Sequence, residues 1–388
     1  MFIHIQLRQH VGAPCKAIVE KGDHVSKGEL IAIPNGLGAN IHASVSGEVL
    51  DITEVEVVIK MSDEQPEHYL QIPETDSYLE AIESAGIVGA GGAGFPTHVK
   101  YSNKIEGGYV IANAAECEPL LGHNVKLIEE QPELLVRGLK YLLKVSHAKK
   151  AYIAIKAKYR KAVVAIGKAC KDEPHVEVKF VSDIYPAGDE RVIVRELLGV
   201  ELEVGQLPLE ANAIVSNVET IKRVVEAIED RKPYIEKDIT VAGRVGEAKI
   251  FEDQPIGVPV SHYIEKCGGY IEPYGEIVIG GPFTGVGGKP ETPLTKTTGG
   301  ILVAMPFPQE HRKIGLLACE CGASEERLRE IAEGMGSDLI LVEKCKRMVN
   351  HNGRDRCDLP GICPGQAEKI LKMKKAGAET ILASSCQP

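Results

Sequence analysis

Four short polar clusters carry the residue types that a cofactor site needs. A glycine-rich run, GAGGAGFPT, occupies residues 89–97, and NAAECEP (113–119), YPAGDE (185–190) and SNVET (216–220) follow in that order. Closely spaced glycines let the main chain turn tightly and bring bare N–H groups near a ligand such as a phosphate. The three later clusters add carboxylates, amides and a phenol after short apolar runs. Together the four clusters predict one ligand site assembled from several loops.

The glycine run does not match the common nucleotide-binding fingerprints. No Gly-Lys-Ser or Gly-Lys-Thr follows it, as a Walker loop requires, and no convincing strand precedes it, as a dinucleotide-binding fold requires. For this run alone, a flexible loop without a ligand is the alternative interpretation. The three later clusters favour a site, because they are expected at the carboxyl ends of strands, where open α/β sheets bind ligands.

The cysteines point to a second kind of chemistry at the other end of the chain. Six of the ten lie after residue 300: Cys319, Cys321, Cys345, Cys357, Cys363 and Cys386. Those that directly follow predicted strands are expected to converge on one sheet edge if the strands are parallel neighbours, and they are the predicted electron-transferring thiols: Cys319, Cys321, Cys345 and Cys386. All six are candidate ligands of an iron–sulfur cluster or zinc, and an exchanging thiol pair or buried thiols without a role are the alternatives.

Composition limits the class of protein. The 388 residues are 44% apolar and 26% charged, which is ordinary for a folded chain of two or three domains. The net charge of -10 argues against a nucleic-acid partner. The sequence contains neither a signal peptide nor an apolar run long enough to span a membrane, so it predicts a cytoplasmic protein, with peripheral membrane association still open.

The elements that position these clusters fall into four predicted domains. Residues 1–64 alternate apolar and polar residues between turn signals, which predicts an all-β unit. After a polar linker, residues 75–232 alternate short apolar runs with helical periodicity, typical of an α/β domain with parallel strands. Residues 236–305 predict a small α+β module, and residues 310–388 predict a second, Cys-rich α/β domain. The fold class is therefore multidomain α/β.

The first unit resembles the barrel-sandwich hybrid of lipoyl and biotinyl carrier domains. Such carriers need a modifiable lysine on the central hairpin, and the hairpin here, PNGLGAN (34–40), has none. The resemblance therefore implies the fold without the carrier function.

In their order and spacing the four clusters resemble the flavin- and NADH-binding subunit of respiratory complex I, and still more the C subunit of the Rnf electron-transport complex. The resemblance covers roughly residues 1–305 and implies a β-grasp module at 236–305. It also implies FMN and NADH as cofactors. The cofactor-binding residues that it implies are Gly89, Gly91, Gly92, Gly94, Phe95, Lys100, Asn113, Glu116, Glu118, Tyr185, Asp189, Glu190, Asn217 and Thr220. Ala90 replaces an arginine of complex I, and its dinucleotide-clamping Lys–Phe pair is absent, so FMN is better supported than NADH.

The C-terminal domain departs from the Rnf pattern, because both ferredoxin-type cysteine runs are missing. The whole architecture resembles a soluble branch of the family, the electron-transfer protein associated with D-proline reductase in amino-acid-fermenting anaerobes. In that branch selenocysteine occurs, and Cys386 begins an incomplete Cys-x-x-Cys. We therefore hypothesise that the last domain is truncated at a UGA codon after Pro388, which the downstream codons would test.

The resulting functional prediction is a soluble flavoprotein, an oxidoreductase component that oxidises NADH at FMN. It would pass electrons through its C-terminal cysteines to a reductase partner, with D-proline reductase implied by the resemblance. One alternative is a component of an Rnf-type membrane complex or a corrin reductase. A second alternative is a binding or docking module without redox activity.

Overall fold

Six sheets form the framework of the protein in the computed structural model, which describes residues 1–384. The two sheets of the first 65 residues form a barrel-like unit. After residue 100 lie three sheets of three or more strands and one two-stranded sheet. Cys386 lies outside the described residues. Within those residues no helix is both long and apolar enough to cross a bilayer.

The N-terminal unit is a small β structure made of two sheets, with strand orders β1-β7-β6-β3 and β2-β4-β5. Ile3 and Ile5 of its first strand face Ile59 and Val57 of its last strand, and all four are buried. This period of two is what the alternating sequence predicts. The strands are β1 (Phe2–Gln6), β2 (Lys16–Ala17), β3 (His24–Val25), β4 (Leu30–Ile33), β5 (Ile41–His42), β6 (Gly47–Ile52) and β7 (Glu56–Met61).

The second unit is a four-stranded parallel sheet covered by helices, in the order β10-β9-β8-β11. Its strands are β8 (Tyr109–Ala114), β9 (Lys150–Lys156), β10 (Val176–Val181) and β11 (Ala213–Asn217). Its helices are α1 (Tyr78–Ser84), α2 (Thr97–Ser102), α3 (His123–Glu130), α4 (Pro132–Ser146), α5 (Arg160–Ala169), α6 (Glu190–Leu198) and α7 (Val218–Glu229), with a 3-10 turn at Pro208–Ala211. The predicted strands are confirmed, and Asn113 pairs in register with Asn217 at the carboxyl ends of β8 and β11.

The third unit is a five-stranded mixed sheet with one helix, in the order β13-β12-β16-β14-β15. The strands β12 and β13 form an antiparallel hairpin, and β16, at the centre of the sheet, pairs parallel with β12. The elements are β12 (Glu236–Gly243), β13 (Lys249–Pro255), α8 (Val260–Lys266), β14 (Ile277–Ile279), β15 (Val286–Gly288) and β16 (Gly300–Val303).

The C-terminal unit contains three parallel strands in the order β18-β17-β21, as the sequence predicts, and a separate hairpin that it does not predict. Its small apolar core is distinct from the larger core that the first three units share. The elements are β17 (Lys313–Ala318), α9 (Glu325–Gly334), β18 (Asp338–Lys344), β19 (Met348–His351), β20 (Arg354–Cys357), α10 (Ala367–Lys375) and β21 (Thr380–Ala383).

A buried network of charges joins helix α7 to the third unit. Arg223, fully buried, donates to Asp238 at 2.9 Å and to Glu219 at 3.1 Å, and Lys222 donates to Asp238 at 2.9 Å. Asp253 of β13 accepts from Arg223 at 2.7 Å. Because charges without a partner are costly to bury, this network fixes the position of α7, whose first residues reach the candidate site.

Candidate functional site

A cavity of about 980 Å³ lies at the carboxyl ends of β8 and β11. This volume is at the upper end of the range for small-molecule sites, about 300–1,000 Å³. The cavity lies between the second unit and the third, where Gly281, Thr284 and Val286 form part of its wall. All of the predicted cofactor-binding residues except Tyr185 line it: Gly89, Gly91, Gly92, Gly94, Phe95, Lys100, Asn113, Glu116, Glu118, Asp189, Glu190, Asn217 and Thr220.

The glycine run forms a loop closed at its base, where Val88 pairs with Pro96 and the Gly89 N–H donates to the Phe95 carbonyl at 3.0 Å. The buried Thr220 hydroxyl accepts from the Ala90 N–H at 2.9 Å and ties the loop to α7. Within the described residues, the N–H groups of 91–93 donate no hydrogen bond. Gly92 has φ +79°, and a Cβ atom at this position would have no neighbour within 4 Å. The loop therefore offers free amides to an anion at the cavity.

Lys100 and Glu190 bring opposite charges to the same wall. The Lys100 ammonium donates to Glu190 Oε1 at 2.8 Å and to the Val215 carbonyl at 2.7 Å. Lys100 is thus already paired. The positive charge of Lys100 would therefore be shared between Glu190 and a ligand phosphate. The role that the sequence resemblance implies for Lys100 stays a prediction.

The two asparagines at the strand ends organise the loops around them. Asn113 donates from Nδ2 to the Gly188 carbonyl at 2.9 Å, which joins β8 to the YPAGDE loop. Asn217 caps α7 by accepting from the Glu219 N–H at 2.8 Å, and its Nδ2 lies beside Gly91. Asp189 likewise caps α6, accepting from the Arg191 N–H at 2.8 Å. These side chains therefore both cap local structure and line the cavity.

The two carboxylates of NAAECEP differ in environment. Burial raises the pKa of Glu116, which accepts from Asn124 Nδ2 at 3.1 Å. Glu118 instead reaches the third unit, where it accepts from the Phe283 N–H at 2.9 Å and from the N–H and hydroxyl of Thr284 at 3.1 and 2.6 Å. Its contacts with protein groups are therefore to a hairpin loop, a partner that the sequence does not indicate.

His123 and Asn124 are cavity residues that sequence reasoning misses. The side chain of His123 is buried, and burial lowers its pKa to about 3. The Thr240 hydroxyl accepts from the Gly122 and His123 N–H groups and lies 3.1 Å from His123 Nδ1. Polar residues at the start of α3, directly after a site motif, are the signal available in the sequence.

Tyr185 is the exception among the predicted cofactor-binding residues. It does not line the cavity; its hydroxyl donates to the Cys321 carbonyl, and its ring packs edge-on against Phe283 with centroids 4.6 Å apart. Burial raises the pKa of the Tyr185 hydroxyl. In the structure the C-terminal unit occupies the Tyr185 hydroxyl, and the contact of Tyr185 with a cofactor stays a prediction.

Cys319, Cys321 and Cys345 follow the carboxyl ends of the neighbouring parallel strands β17 and β18, where the sequence predicts them. Hydrogen bonds with Cys319 and with Cys357 raise the pKa of Cys321. The bond with Cys321 lowers the pKa of Cys357. Cys345, at the end of the neighbouring strand, accepts from Gln366 Nε2 at 3.0 Å.

The hairpin β19–β20 brings Cys357, the last residue of β20, beside Cys321. Cys363 is exposed. Among residues 1–384 no group of three or more His, Cys, Asp or Glu side chains has the arrangement of a metal site. Since Cys386 lies outside this range, metal binding by the six cysteines stays a prediction.

The fold and the cavity define a class: an α/β flavin domain of the complex I type that follows a barrel-sandwich hybrid. Residues 82–226 match the Nuo51 FMN-binding domain, and residues 2–65 match the RnfC barrel sandwich hybrid domain. The chain belongs to the RnfC family. It is 34% identical over 320 residues to the C subunit of the Na⁺-translocating ferredoxin:NAD⁺ oxidoreductase complex of Acetobacterium woodii, covering 77% of this chain and 72% of that one.

Two further comparisons define the extent of the similarity. Cobalamin reductase PduS of Salmonella typhimurium is 35% identical over 237 residues, which are 61% of this chain and 51% of PduS. A crystal structure of an NAD⁺-reducing [NiFe]-hydrogenase matches with a TM-score of 0.50 and 23% identity, over 59% of this chain and 46% of that chain. The hydrogenase likeness concerns the fold. The Rnf-like family and the barrel and flavin domains predicted from the sequence are thus confirmed.

Proposed function

We propose that this protein is an electron-transfer flavoprotein that binds FMN in the cavity, accepts electrons from NADH and delivers them through its C-terminal cysteines. The observation that carries the proposal is the glycine loop. Its free amides face a cavity within the segment that matches an FMN-binding domain.

The residues present fit FMN. The amides of 91–93 would bind the phosphate together with Lys100, and Asn113, Asn217 and Thr220 would hold the loops that surround the flavin. When bound, FMN supplies the capacity to take two electrons at once and release them singly or as a pair. The protein would position the cofactor and set its electrostatic surroundings, to which the half-buried Glu116 would contribute.

The outlet would be the cysteine edge. Cys321 and Cys357 are hydrogen-bonded partners, and Tyr185 connects Cys321 to the unit that carries the cavity. Metal analysis of the purified protein distinguishes a thiol pair from a metal held together with Cys319, Cys345, Cys363 and Cys386. The third unit, proposed as a β-grasp module, would close the cavity over the cofactor.

The electron acceptor we propose is a reductase protein, with D-proline reductase as the specific candidate. Support comes from the C-terminal unit, in which the cysteine spacing after residue 310 differs from that of a ferredoxin-type run. The alternative is a role within an Rnf-type complex or as a cobalamin reductase. The similarity to the A. woodii protein and to PduS favours that alternative. Reduction of D-proline reductase, of a cobalamin or of ferredoxin by the purified protein and NADH discriminates between these acceptors.

The visible spectrum of the purified chain tests the cofactor proposal. We expect the absorption of oxidised flavin, bleached by NADH under anaerobic conditions. A flavin spectrum that NADH leaves unchanged would retain FMN and exclude NADH as the donor. A colourless protein that does not take up added FMN would refute the proposal and favour a docking module.

A pair of glycine variants provides a matched control. Gly92 and Gly36 both have positive φ and open space around a new side chain, but only Gly92 lines the cavity. Substitution by alanine therefore costs a similar backbone strain, on the order of 1 kcal/mol, at both positions. We expect Gly92→Ala to weaken FMN binding and Gly36→Ala to leave it unchanged.

A further inference from the structure

The C-terminal unit contacts the flavin-binding unit through polar groups rather than through a shared core. Its core of Ile314, Leu316, Ala318, Leu328 and Ala332 is separate from the two apolar cores of the other described units. How the cysteines are held near the cavity therefore depends on particular hydrogen bonds. Two groups of these bonds start directly beside cavity residues.

The first group centres on Tyr185. Its hydroxyl donates to the carbonyl of Cys321, and its ring contacts Phe283. The N–H of Phe283 in turn donates to Glu118, which lines the cavity. One side of the cysteine edge is thus linked to the cavity wall through a single aromatic contact.

The second group comes from helix α6, whose first residues, Asp189 and Glu190, line the cavity. The guanidinium of Arg191 donates to the carbonyls of Cys357 at 2.7 Å and Asp358 at 2.5 Å, and also to its own unit at Leu202. One turn later, Arg195 donates to the Pro360 carbonyl at 2.8 Å. Charged donors make the stronger class of hydrogen bond, so this helix holds the segment 357–360 firmly.

The two groups hold the two members of one thiol pair. Tyr185 holds Cys321, Arg191 holds Cys357, and these cysteines are hydrogen-bonded to each other. Cys357 is only 4% exposed. Cys345, by contrast, is held by Gln366 within its own unit.

We propose that Tyr185, Arg191 and Arg195 form a clamp that fixes Cys321 and Cys357 against the flavin-binding unit. The clamp makes this pair the point at which the cysteine unit meets helix α6, whose first residues line the cavity. These three are positioning residues, and the inference rests on the proposed function in so far as electrons leave the cavity through the cysteines.

Hydrogen exchange of the full-length chain, followed by mass spectrometry, tests the clamp without requiring a cofactor. In Arg191→Met we expect exchange of the amides at 357–362 to accelerate about tenfold or more, because two charge-assisted hydrogen bonds are lost. Arg195→Met, which removes a single bond, should give a smaller acceleration in the same segment. Arg191→Lys should restore part of the protection, since an ammonium can still reach one carbonyl. Arg137→Met is the matched control, because Arg137 forms its ion pair with Glu229 on another face of the flavin-binding unit.

Unchanged exchange at 357–362 in both Arg191→Met and Arg195→Met would overturn the proposal. An equal acceleration around the buried Cys267, which lies in the third unit, would also overturn it, because the loosening would then be general. FMN binding by the same variants is measured separately. Loss of protection in a chain that never binds FMN would support the clamp while refuting the proposed function, so the two failures are distinguishable.

Discussion

The substitution Glu118→Gln separates a structural role of this carboxylate from contact with a cofactor. In the structure both carboxylate oxygens are used: Oε2 accepts from the Phe283 N–H, and Oε1 accepts from the N–H and hydroxyl of Thr284. A side chain at Gly281 would collide with this carboxylate, which shows how closely the loop wraps around it. Glutamine is nearly the same size but has only one acceptor oxygen.

The magnitude follows from the bonds that are lost. If the glutamine oxygen keeps the two contacts with Thr284, its NH₂ group must face the Phe283 N–H, so that one charge-assisted bond is replaced by opposed donors. Hydrogen bonds to charged groups contribute about 1.5–3 kcal/mol each. A loss of about 2–3 kcal/mol corresponds to roughly 30- to 150-fold faster local opening of the hairpin loop.

Hydrogen exchange of the cofactor-free chain measures this opening at the amides of 281–286. Thr284→Val should show an intermediate effect, because it removes only the hydroxyl contact of 2.6 Å. Glu64→Gln, at an exposed position after β7, serves as the control and should leave the loop unchanged. If Glu118→Gln leaves exchange of the loop unaltered but shifts FMN affinity, then the carboxylate acts on the cofactor and its structural role is refuted.

Three further predictions concern the surroundings of the cavity. Thr220→Val leaves the buried Ala90 N–H without its acceptor, at a cost of about 1–3 kcal/mol, so FMN should bind about tenfold more weakly in a fluorescence titration; unchanged affinity would count against the loop's role. Arg223→Met leaves buried carboxylates uncompensated and should lower the free energy of unfolding by about 3–5 kcal/mol in chemical denaturation, with Asp238→Asn less than additive to it; strict additivity would contradict the network. Burial lowers the pKa of both His42 and His123 to about 3, so each histidine takes up a proton on unfolding below about pH 6.5. The free energy of unfolding should therefore be highest above that pH. It should fall by about 1.4 kcal/mol for each histidine and each pH unit as the pH drops towards 3. The melting temperature should therefore decrease between pH 7 and pH 5, and His42→Leu should flatten that dependence.

Much of the site could be predicted from local sequence because parallel sheets impose a simple rule. Side chains that follow neighbouring parallel strands meet at one edge, and this places Asn113 beside Asn217 in register. The same rule places Cys319 and Cys345 at one edge of the C-terminal sheet, because β17 and β18 are parallel neighbours. The glycine loop could be predicted for a related reason, since closely spaced glycines have a conformational meaning that does not depend on distant residues.

The features that sequence reasoning misses share a different cause. Tyr185 and Glu118 stand in motifs that indicate a cofactor site, yet their partners lie 136 and 165 residues away in the sequence, in other units. Cys357 is not among the predicted electron-transferring thiols, because a short hairpin between two strands leaves only a weak pattern in the sequence. His123 escapes prediction because burial of a polar side chain depends on what covers it.

Local sequence is sufficient to establish most of the elements of this protein and its family, because burial periodicity, glycine spacing and the four polar clusters are properties of short segments. Only the packing of the units against each other selects which of those polar groups face the cavity and which join one unit to another. A side chain has only a few hydrogen-bonding positions, and the unit that packs against it determines how they are used. For this reason Tyr185 connects the flavin-binding unit to the cysteines, although its motif indicates the cofactor.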